Sequence, residues 1–303
     1  MRAADALPAW NPLDLQALLR LEPVGPSTFR SRQACANARG TVFGGQLLAH
    51  ALIAASMTVA PDRDATALQF MFLQSADPAR PIELEVTPLQ DGKRFASRHV
   101  RGTQPASGGS AARLVLDAQL TFALELPGPA HATPSRAAGV DPARLPRMED
   151  LPAETSDAVW RTLGYPLDSP ALDLRVGDAA QGLGLDAPTA SLGFWLRTRE
   201  PLADDRMLQA AAFAFLSDWW INFASVGVHV RQLERDGERL HVASLNHAIW
   251  FHRPLRADQW LYFDVQSPCA GRGRGLSIGA VHDIDGVLVA SVSQENLMTP
   301  GSI

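Results

Sequence analysis

Two stretches of the chain carry apolar residues at the spacing of a broad helical face. In the first, residues 46–59, these positions recur at intervals of three and four: Leu47, Leu48, Ala51, Leu52, Ala55. This spacing predicts an amphipathic helix whose apolar side packs against a core. Residues 207–226 repeat the pattern and predict a second, equally apolar helix.

A series of strand-like segments follows each predicted helix, and the two series align at an offset of about 179 residues. The alignment pairs Phe70 with Ile249 and Val86 with Val265. Asp-Gly dipeptides at 91–92 and 285–286 are typical of tight hairpin turns between antiparallel strands. The shared order predicts a duplicated α+β domain, in which each half wraps an antiparallel sheet around one long helix.

Prolines crowd the segment between the two halves, from Pro127 to Pro170, and they interrupt any periodic pattern there. We therefore predict an N-terminal domain over residues 1–126, a Pro-rich linker with one short helix over 127–185, and a C-terminal domain over 186–303. The C-terminal domain is expected to carry the active site.

Composition and charge exclude several classes of function. The 303 residues are 46% hydrophobic and 19% charged, which is typical of an ordinary globular protein. Because 27 Lys and Arg face 32 Asp and Glu, the chain has no excess of cations to neutralise a nucleic-acid backbone. A single lysine, Lys93, leaves arginine to recognise any anionic ligand.

The cysteines and histidines indicate neither a disulfide framework nor a metal site. Cys35 and Cys269 are far apart in the chain and outside any ligand spacing. His247 and His252 are five residues apart in a predicted strand, so they face opposite ways and are expected to pack or to form hydrogen bonds. With no signal peptide or membrane-spanning pattern, we expect a cytoplasmic protein that uses no metal, organic cofactor or nucleic acid.

Three motifs resemble those of the acyl-CoA thioesterase II family. They are Phe-Gly-Gly-Gln at 43–46, a stretch at 244–254 that includes His-Ala-Ile-Trp-Phe-His-Arg-Pro, and residues 288–295, which end in Gln-Glu. The resemblance covers residues 15–298, with the linker matching only in position. It implies two fused hot dog domains and hydrolysis of acyl-CoA to a carboxylic acid and coenzyme A. The two halves can pair within one chain, and the remaining surfaces of their sheets could support further assembly. We therefore expect a homo-oligomer.

The resemblance also implies which residues activate the attacking water: Asp218, Ser244 and Gln294. Asp218 is the only acid inside the second predicted helix, so burial would require hydrogen-bond partners or a raised pKa, unless it lies on the helix surface. Simple alternation would place Ser244 and Asn246 on one strand face and His247 on the other. Gln294 closes an apolar row, where its amide must find partners.

Six further residues are candidates for substrate binding: Gly44, Gly45, Gln46, Arg253, Arg272, Arg274. The glycines would let the backbone approach a ligand closely, or they would only form a tight entry into the helix. The arginines are candidates for the phosphates of coenzyme A, although a solvated arginine is the simpler interpretation.

Two other functions remain open. Residues 275–279, Gly-Leu-Ser-Ile-Gly, match the nucleophile elbow of a serine esterase with Ser277 as nucleophile, but the sequence after them predicts a strand and a hairpin rather than the required helix. Gln69, Gln74 and Asn246 depart from the residues usual in the family. Gln69 and Gln74 predict a degenerate site in the first half. All three departures keep open the alternative of a non-catalytic acyl-thioester binding protein.

Overall fold

The computed structural model describes residues 7–8, 10–105, 112–150, 169–177 and 189–301. Within these ranges the chain forms one twelve-stranded sheet and five α-helices. No helix among the described residues is long and apolar enough to cross a membrane.

The first half contains two helices and six strands. The helices are α1 (Leu15–Leu19) and α2 (Gly44–Ser56). The strands are β1 (Leu21–Gly25), β2 (Thr28–Ser31), β3 (Asp64–Phe72), β4 (Glu83–Asp91), β5 (Phe95–Gln104) and β6 (Arg113–Ala123). The predicted first helix is confirmed, and it begins at the glycine pair rather than after it.

The second half contains three helices and six strands. The helices are α3 (Arg206–Ser217), α4 (Phe223–Val226) and α5 (Val230–Asp236). The strands are β7 (Leu172–Val176), β8 (Ser191–Thr198), β9 (Leu240–Phe251), β10 (Leu261–Gly271), β11 (Arg274–Asp283) and β12 (Leu288–Pro300).

The prediction of one continuous helix over 207–226 is wrong, because α3 ends at Ser217. The next residues form a turn in which Trp220 takes a left-handed backbone conformation, with φ of 70°. Such a conformation is costly for a bulky side chain and cannot continue a right-handed helix. Apolar residues in the turn and in α4 extend the helical spacing, so the pattern alone does not reveal the break.

The segment between the halves packs along the second half of the sheet. Its described part includes short 3₁₀ helices at Pro142–Arg144 and Met148–Asp150. The carbonyl of Thr133 lies 3.0 Å from Nε2 of His282 on β11. Strand β7, at the outer edge of the sheet, also falls within the range 127–185.

The two halves join edge to edge through β3 and β9. The sheet order is β1-β2-β4-β5-β6-β3-β9-β12-β11-β10-β8-β7, and every neighbouring pair is antiparallel. At the centre Gln69 lies opposite Ala248, two residues separated by the same 179 positions that align the halves in sequence. An antiparallel pair of equivalent strands has this arrangement when the halves are related by a local twofold axis.

Equivalent β-bulges mark both central strands. The register between β3 and β6 shifts at Thr66, and the register between β9 and β12 shifts at Leu245. These two residues occupy corresponding places in the aligned halves. A bulge adds one residue to one strand and turns the following side chains to the other face.

The two long helices pack against each other and against the inner face of the sheet. Gly45 at the start of α2 approaches Phe215 near the end of α3, so the helices run antiparallel. At their other ends, Arg206 of α3 forms an ion pair of 3.0 Å with Asp64, which follows α2. The core residues of both halves form one continuous buried cluster. This packing brings the N-terminus of one long helix to the C-terminus of the other.

Candidate active site

Asp218 lies at the C-terminal cap of α3, directly after the last helical residue. This corrects the prediction that it lies inside a helix. The side chain is 9% exposed and points between the helices and the inner face of the sheet. Because the cap ends the helix here, the carboxylate can reach groups on β9 and β12 as well as the start of α2.

Gln294 of β12 holds this carboxylate. It is fully buried, and its Nε2 donates to Oδ1 of Asp218 at 2.9 Å. The same nitrogen donates a short hydrogen bond to Oγ of Ser244. The expectation that Gln294 must find polar partners within its apolar row is confirmed.

Ser244 reaches the cluster because of the bulge at Leu245. Its Oγ lies 3.4 Å from Oδ1 of Asp218. The bulge also invalidates the predicted alternation, since Asn246 faces the other way and donates to Oε2 of Glu295 at 3.1 Å. Ser244 therefore shares the inner face with His247 and not with Asn246.

The first half contributes the N-terminus of α2 to the same place. The backbone N–H of Gly45 donates to the Asp218 carboxylate. A Cβ atom on Gly44 would stand 2.5 Å from Oδ2 of Asp218 and 2.8 Å from Cε1 of Phe72. Glycine is thus required here for close approach of the backbone, and the cluster is built from both halves of the chain.

Burial sets the electrostatics of the cluster. Removal from water raises the pKa of Asp218 from 3.8 to about 7, although the hydrogen bonds from Gln294, Ser244 and Gly45 act in the opposite direction. A carboxyl group with a pKa near neutral pH can accept a proton efficiently from a water molecule beside it.

His247 is predicted from the sequence only as a packing or hydrogen-bonding residue, and the structure places it against the cluster. It is 1% exposed, with Nε2 3.0 Å from Oγ of Ser217 and Nδ1 3.3 Å from Oε1 of Gln294. Burial lowers its pKa to about 4, so the imidazole is neutral near pH 7. Its position on the inner face could be foreseen only with knowledge of the bulge.

Corresponding positions in the first half are apolar. Leu68 aligns with His247, and its cross-strand partner Leu120 stands where Gln294 stands in the second half. Ala65 precedes the first bulge as Ser244 precedes the second, and Met57 caps α2 as Asp218 caps α3. Among the residues described, the polar side chains of the cluster therefore all come from the second half, and the first half contributes only the backbone of α2.

Gln46 is buried at the first turn of α2 and holds the preceding loop. Its Oε1 accepts from the backbone N–H of Cys35 at 2.7 Å, and its Nε2 donates to the carbonyl of Gln33 at 2.8 Å. Both polar atoms of the side chain are thus engaged within the chain.

The three candidate arginines lie on the surface. Arg253 follows β9, and Arg272 occupies the β10–β11 turn with φ of 54°. Nε of Arg274 lies 3.6 Å from Oε1 of Glu295, which points away from the inner face that carries Gln294. The arginines thus lie apart from the Asp218 cluster rather than within it.

The family departures noted in the sequence lie away from this cluster. Gln69 is exposed on the outer face of the central strands, and Asn246 also faces outward. Oε1 of Gln74 accepts a hydrogen bond of 3.0 Å from Arg113. None of these side chains contacts Asp218 in the described structure.

The elbow-like motif at 275–279 lies entirely within strand β11. Ser277 is fully buried, and the chain continues as a strand after it. A nucleophile elbow requires a sharp turn from a strand into a helix, so the serine-esterase alternative is contradicted. No group of three or more potential metal ligands occurs within the described ranges.

Comparison with solved structures identifies the architecture. An acyl-CoA thioesterase II from Mycobacterium marinum superposes with a TM-score of 0.73 at 29% identity, covering 95% of this chain and 98% of that one. A hot dog protein from Alicyclobacillus acidocaldarius superposes with a TM-score of 0.72 at 20% identity. The match covers 97% of this chain and 100% of that chain. The fold is a double hot dog, and the chain is of the thioester hydrolase class.

Two family models match within the chain: the acyl-CoA thioesterase N-terminal domain over residues 33–123 and the acyl-CoA thioesterase C-terminal domain over residues 142–298. Human acyl-coenzyme A thioesterase 8 is 28% identical, covering 93% of this chain and 87% of its own length. Acyl-CoA thioesterase 2 of Haemophilus influenzae is also 28% identical, covering 93% of this chain and 95% of its own. The chain belongs to the acyl-CoA thioesterase family.

Proposed function

We propose that this protein hydrolyses acyl-CoA thioesters with a water molecule activated by Asp218. The observation that carries the proposal is the buried carboxylate held jointly by Gln294, Ser244 and the N-terminus of α2. A base, two neutral hydrogen-bonding groups and a helix N-terminus at one point are sufficient to position and deprotonate a water molecule.

In the proposed reaction the water oxygen attacks the thioester carbonyl carbon while Asp218 takes up a proton. Gln294 and Ser244 fix the carboxylate, so that its free lone pair points toward the water. Phe43, the N-cap of α2, provides no side-chain hydrogen bond to the first turn. The N–H of Gly45 donates to Asp218, and that of Gln46 donates to the Phe43 carbonyl at 3.1 Å. The N–H of Gly44 and the helix dipole are therefore the groups that can stabilise negative charge on the carbonyl oxygen.

Collapse of the tetrahedral intermediate breaks the carbon–sulfur bond. The departing coenzyme A thiolate is a good leaving group, since thiols have pKa values near 8.5, and it can recover the proton from Asp218. The products are the carboxylic acid and free coenzyme A, and Asp218 returns to its starting state without a covalent intermediate.

The remaining candidates have supporting roles in this proposal. Gly44 and Gly45 let the α2 backbone approach the reacting carbonyl, and Gln46 positions that turn by holding the loop at Gln33 and Cys35. Arg253, Arg272 and Arg274 are proposed to attract the phosphates of coenzyme A. We assign the catalytic groups to the domain over 186–303 and the helix N-terminus to the domain over 1–126.

The proposal is tested by thiol release from short, medium, long, branched and aromatic acyl-CoAs. We expect turnover by the wild type and a loss of at least about a hundredfold in Asp218→Asn, because the base is removed. Asp62→Asn, a change at an exposed acid, is the matched control and should retain activity. Equal turnover by Asp218→Asn and the control would disprove the assignment. Tight binding of acyl-CoA without thiol release would favour the binding-protein alternative.

A further inference from the structure

The strand pair that carries Gln294 contains a second buried polar side chain whose role the proposed reaction leaves open. His247 lies directly opposite Gln294 across β9 and β12. In the first half, the fold fills the corresponding pair of positions with Leu68 and Leu120, both buried. Packing alone therefore does not require a histidine and a glutamine at this place, where burying polar groups costs free energy.

The contacts of His247 restrict where its proton lies. Ser217 has one hydroxyl proton, and its Oγ is within reach of both the carbonyl of Ala214 and Nε2 of the imidazole. A neutral imidazole donates from one nitrogen and accepts at the other. If Ser217 donates to Nε2, then Nδ1–H donates to Oε1 of Gln294.

The other tautomer would reverse the amide of Gln294. With the proton on Nε2, the unprotonated Nδ1 would face Oε1, and two acceptors would oppose each other. The amide would then rotate to donate to Nδ1, which would turn its oxygen toward Oδ1 of Asp218 and remove the donor now 2.9 Å away. Only the first arrangement lets the amide nitrogen serve Asp218 and Ser244.

We propose that His247 is a positioning residue, which donates from Nδ1 to Gln294 and so fixes the amide orientation that holds Asp218 for catalysis. In this arrangement the donors run from His247 through Gln294 to the carboxylate, and the single proton of Ser217, whose Oγ lies 2.9 Å from the carbonyl of Ala214, turns from that carbonyl to Nε2. The inference rests on the proposed function for its catalytic consequence. Its effect on the Asp218 carboxyl group can be measured without any substrate.

Two variants separate this role from a merely structural one. The side-chain nitrogen of His247→Asn lies near the position of Nδ1 and can still donate to Gln294, whereas that of His247→Gln extends toward Ser217 and leaves Nδ1 without a substitute. His50→Gln is the matched control, because His50 is equally buried but bonds to the carbonyl of Leu18 in the first half.

The first measurement is the titration of Asp218, followed by the ¹³C signal of its carboxyl carbon and assigned with Asp218→Asn. The groups acting on this pKa are the buried surroundings, Gln294, Ser244 and the Gly45 N–H, and His247 faces it through Gln294. In His247→Gln we expect the midpoint to rise by about one pH unit or more, because a donor is lost. His247→Asn and His50→Gln should titrate like the wild type.

The second measurement is the pH profile of thiol release from decanoyl-CoA. In His247→Gln kcat should fall about ten- to a hundredfold with little change in KM, and the acid limb should move to higher pH. His247→Asn should recover most of this loss. Wild-type titration in His247→Gln, or equal shifts in both variants, would overturn the inference. Unimpaired turnover in Asp218→Asn would instead overturn the proposed function, and the ¹³C titration would still decide the role of His247.

Discussion

Replacing Asp218 with asparagine should make the protein less active and more stable, with a gain in stability that depends on pH. The carboxyl group has a pKa of about 7 in the folded chain and 3.8 as the reference for the unfolded one. Between these values the folded state binds more protons than the unfolded state. The free energy of unfolding therefore falls as pH rises from 3.8 to about 7 and stays low above it.

The magnitude follows from the difference between the two pKa values. Each unit corresponds to about 1.4 kcal/mol, so burial of this carboxyl group lowers the free energy of unfolding, relative to its value below pH 3.8, by about 4 kcal/mol at pH 8. Near pH 5.5, where the group takes up a proton on folding, the loss is about 2 kcal/mol. The amide that replaces the carboxyl group in Asp218→Asn does not titrate in this range, and this pH-dependent cost is absent from the variant. The loss of stability and the proposed catalytic role have the same cause, because the burial that destabilises the carboxylate also raises its pKa and makes it a stronger base.

The assay is urea unfolding of the wild type and Asp218→Asn at several pH values from 4 to 8, with thiol release measured on the same samples. We expect the stability of the variant relative to the wild type to rise through this range and level off above about pH 7. Both proteins carry the same histidines, whose contributions cancel in the difference. A difference that stays constant from pH 4 to 8 would refute the raised pKa and, with it, the electrostatic argument for Asp218 as base.

Three further predictions concern the start of α2, the His247–Gln294 pair and the two buried histidines. Gly44→Ala places a methyl group 2.5 Å from the carboxylate oxygen and should lower kcat/KM at least about tenfold, whereas Gly128→Ala, which meets no atom within 4 Å, should leave kcat/KM unchanged. The double change His247→Leu and Gln294→Leu copies the apolar pair of the first half. It should abolish turnover and still give a folded protein, with a Tm lowered because the buried Asp218 loses its donor from Gln294. An unfolded product would contradict the structural equivalence of the halves. His50 and His247 have pKa values lowered from 6.5 to about 4. The stability that these neutral histidines contribute is therefore complete above pH 6.5 and decreases toward pH 4, by up to about 3 kcal/mol each. In acid unfolding, the free energy of unfolding of His50→Gln should decrease less over this range than that of the wild type.

Much of the architecture follows from patterns that are local in the chain. The stripe of apolar residues after Gly45 predicts α2, and the offset of 179 between the halves recurs in the structure as the separation of the paired residues Gln69 and Ala248. The three proposed catalytic residues come together as the family resemblance implies. Their proximity depends on contacts between positions up to 76 residues apart, as for Asp218 and Gln294.

Two features of the site could not be predicted from periodicity. Trp219, Ile221 and Phe223 are apolar because they line a turn and a short helix, yet their spacing continues that of α3. The bulge at Leu245 leaves no compositional signal, since an inserted residue changes the facing of side chains without changing their type. As a result, simple alternation assigns His247 to the wrong face.

The junction of the two long helices has a consequence for how the chain can change over evolutionary time. The carboxylate comes from one half and the glycines that face it come from the other, so in the proposed reaction neither half contains the complete site. Leu68 and Leu120 of the first half are constrained only by packing, whereas the corresponding His247 and Gln294 of the second half must also keep their hydrogen bonds. If the proposed reaction holds, covalent fusion lets two similar units diverge so that one supplies the base and the other supplies backbone donors, which a dimer of identical subunits cannot do.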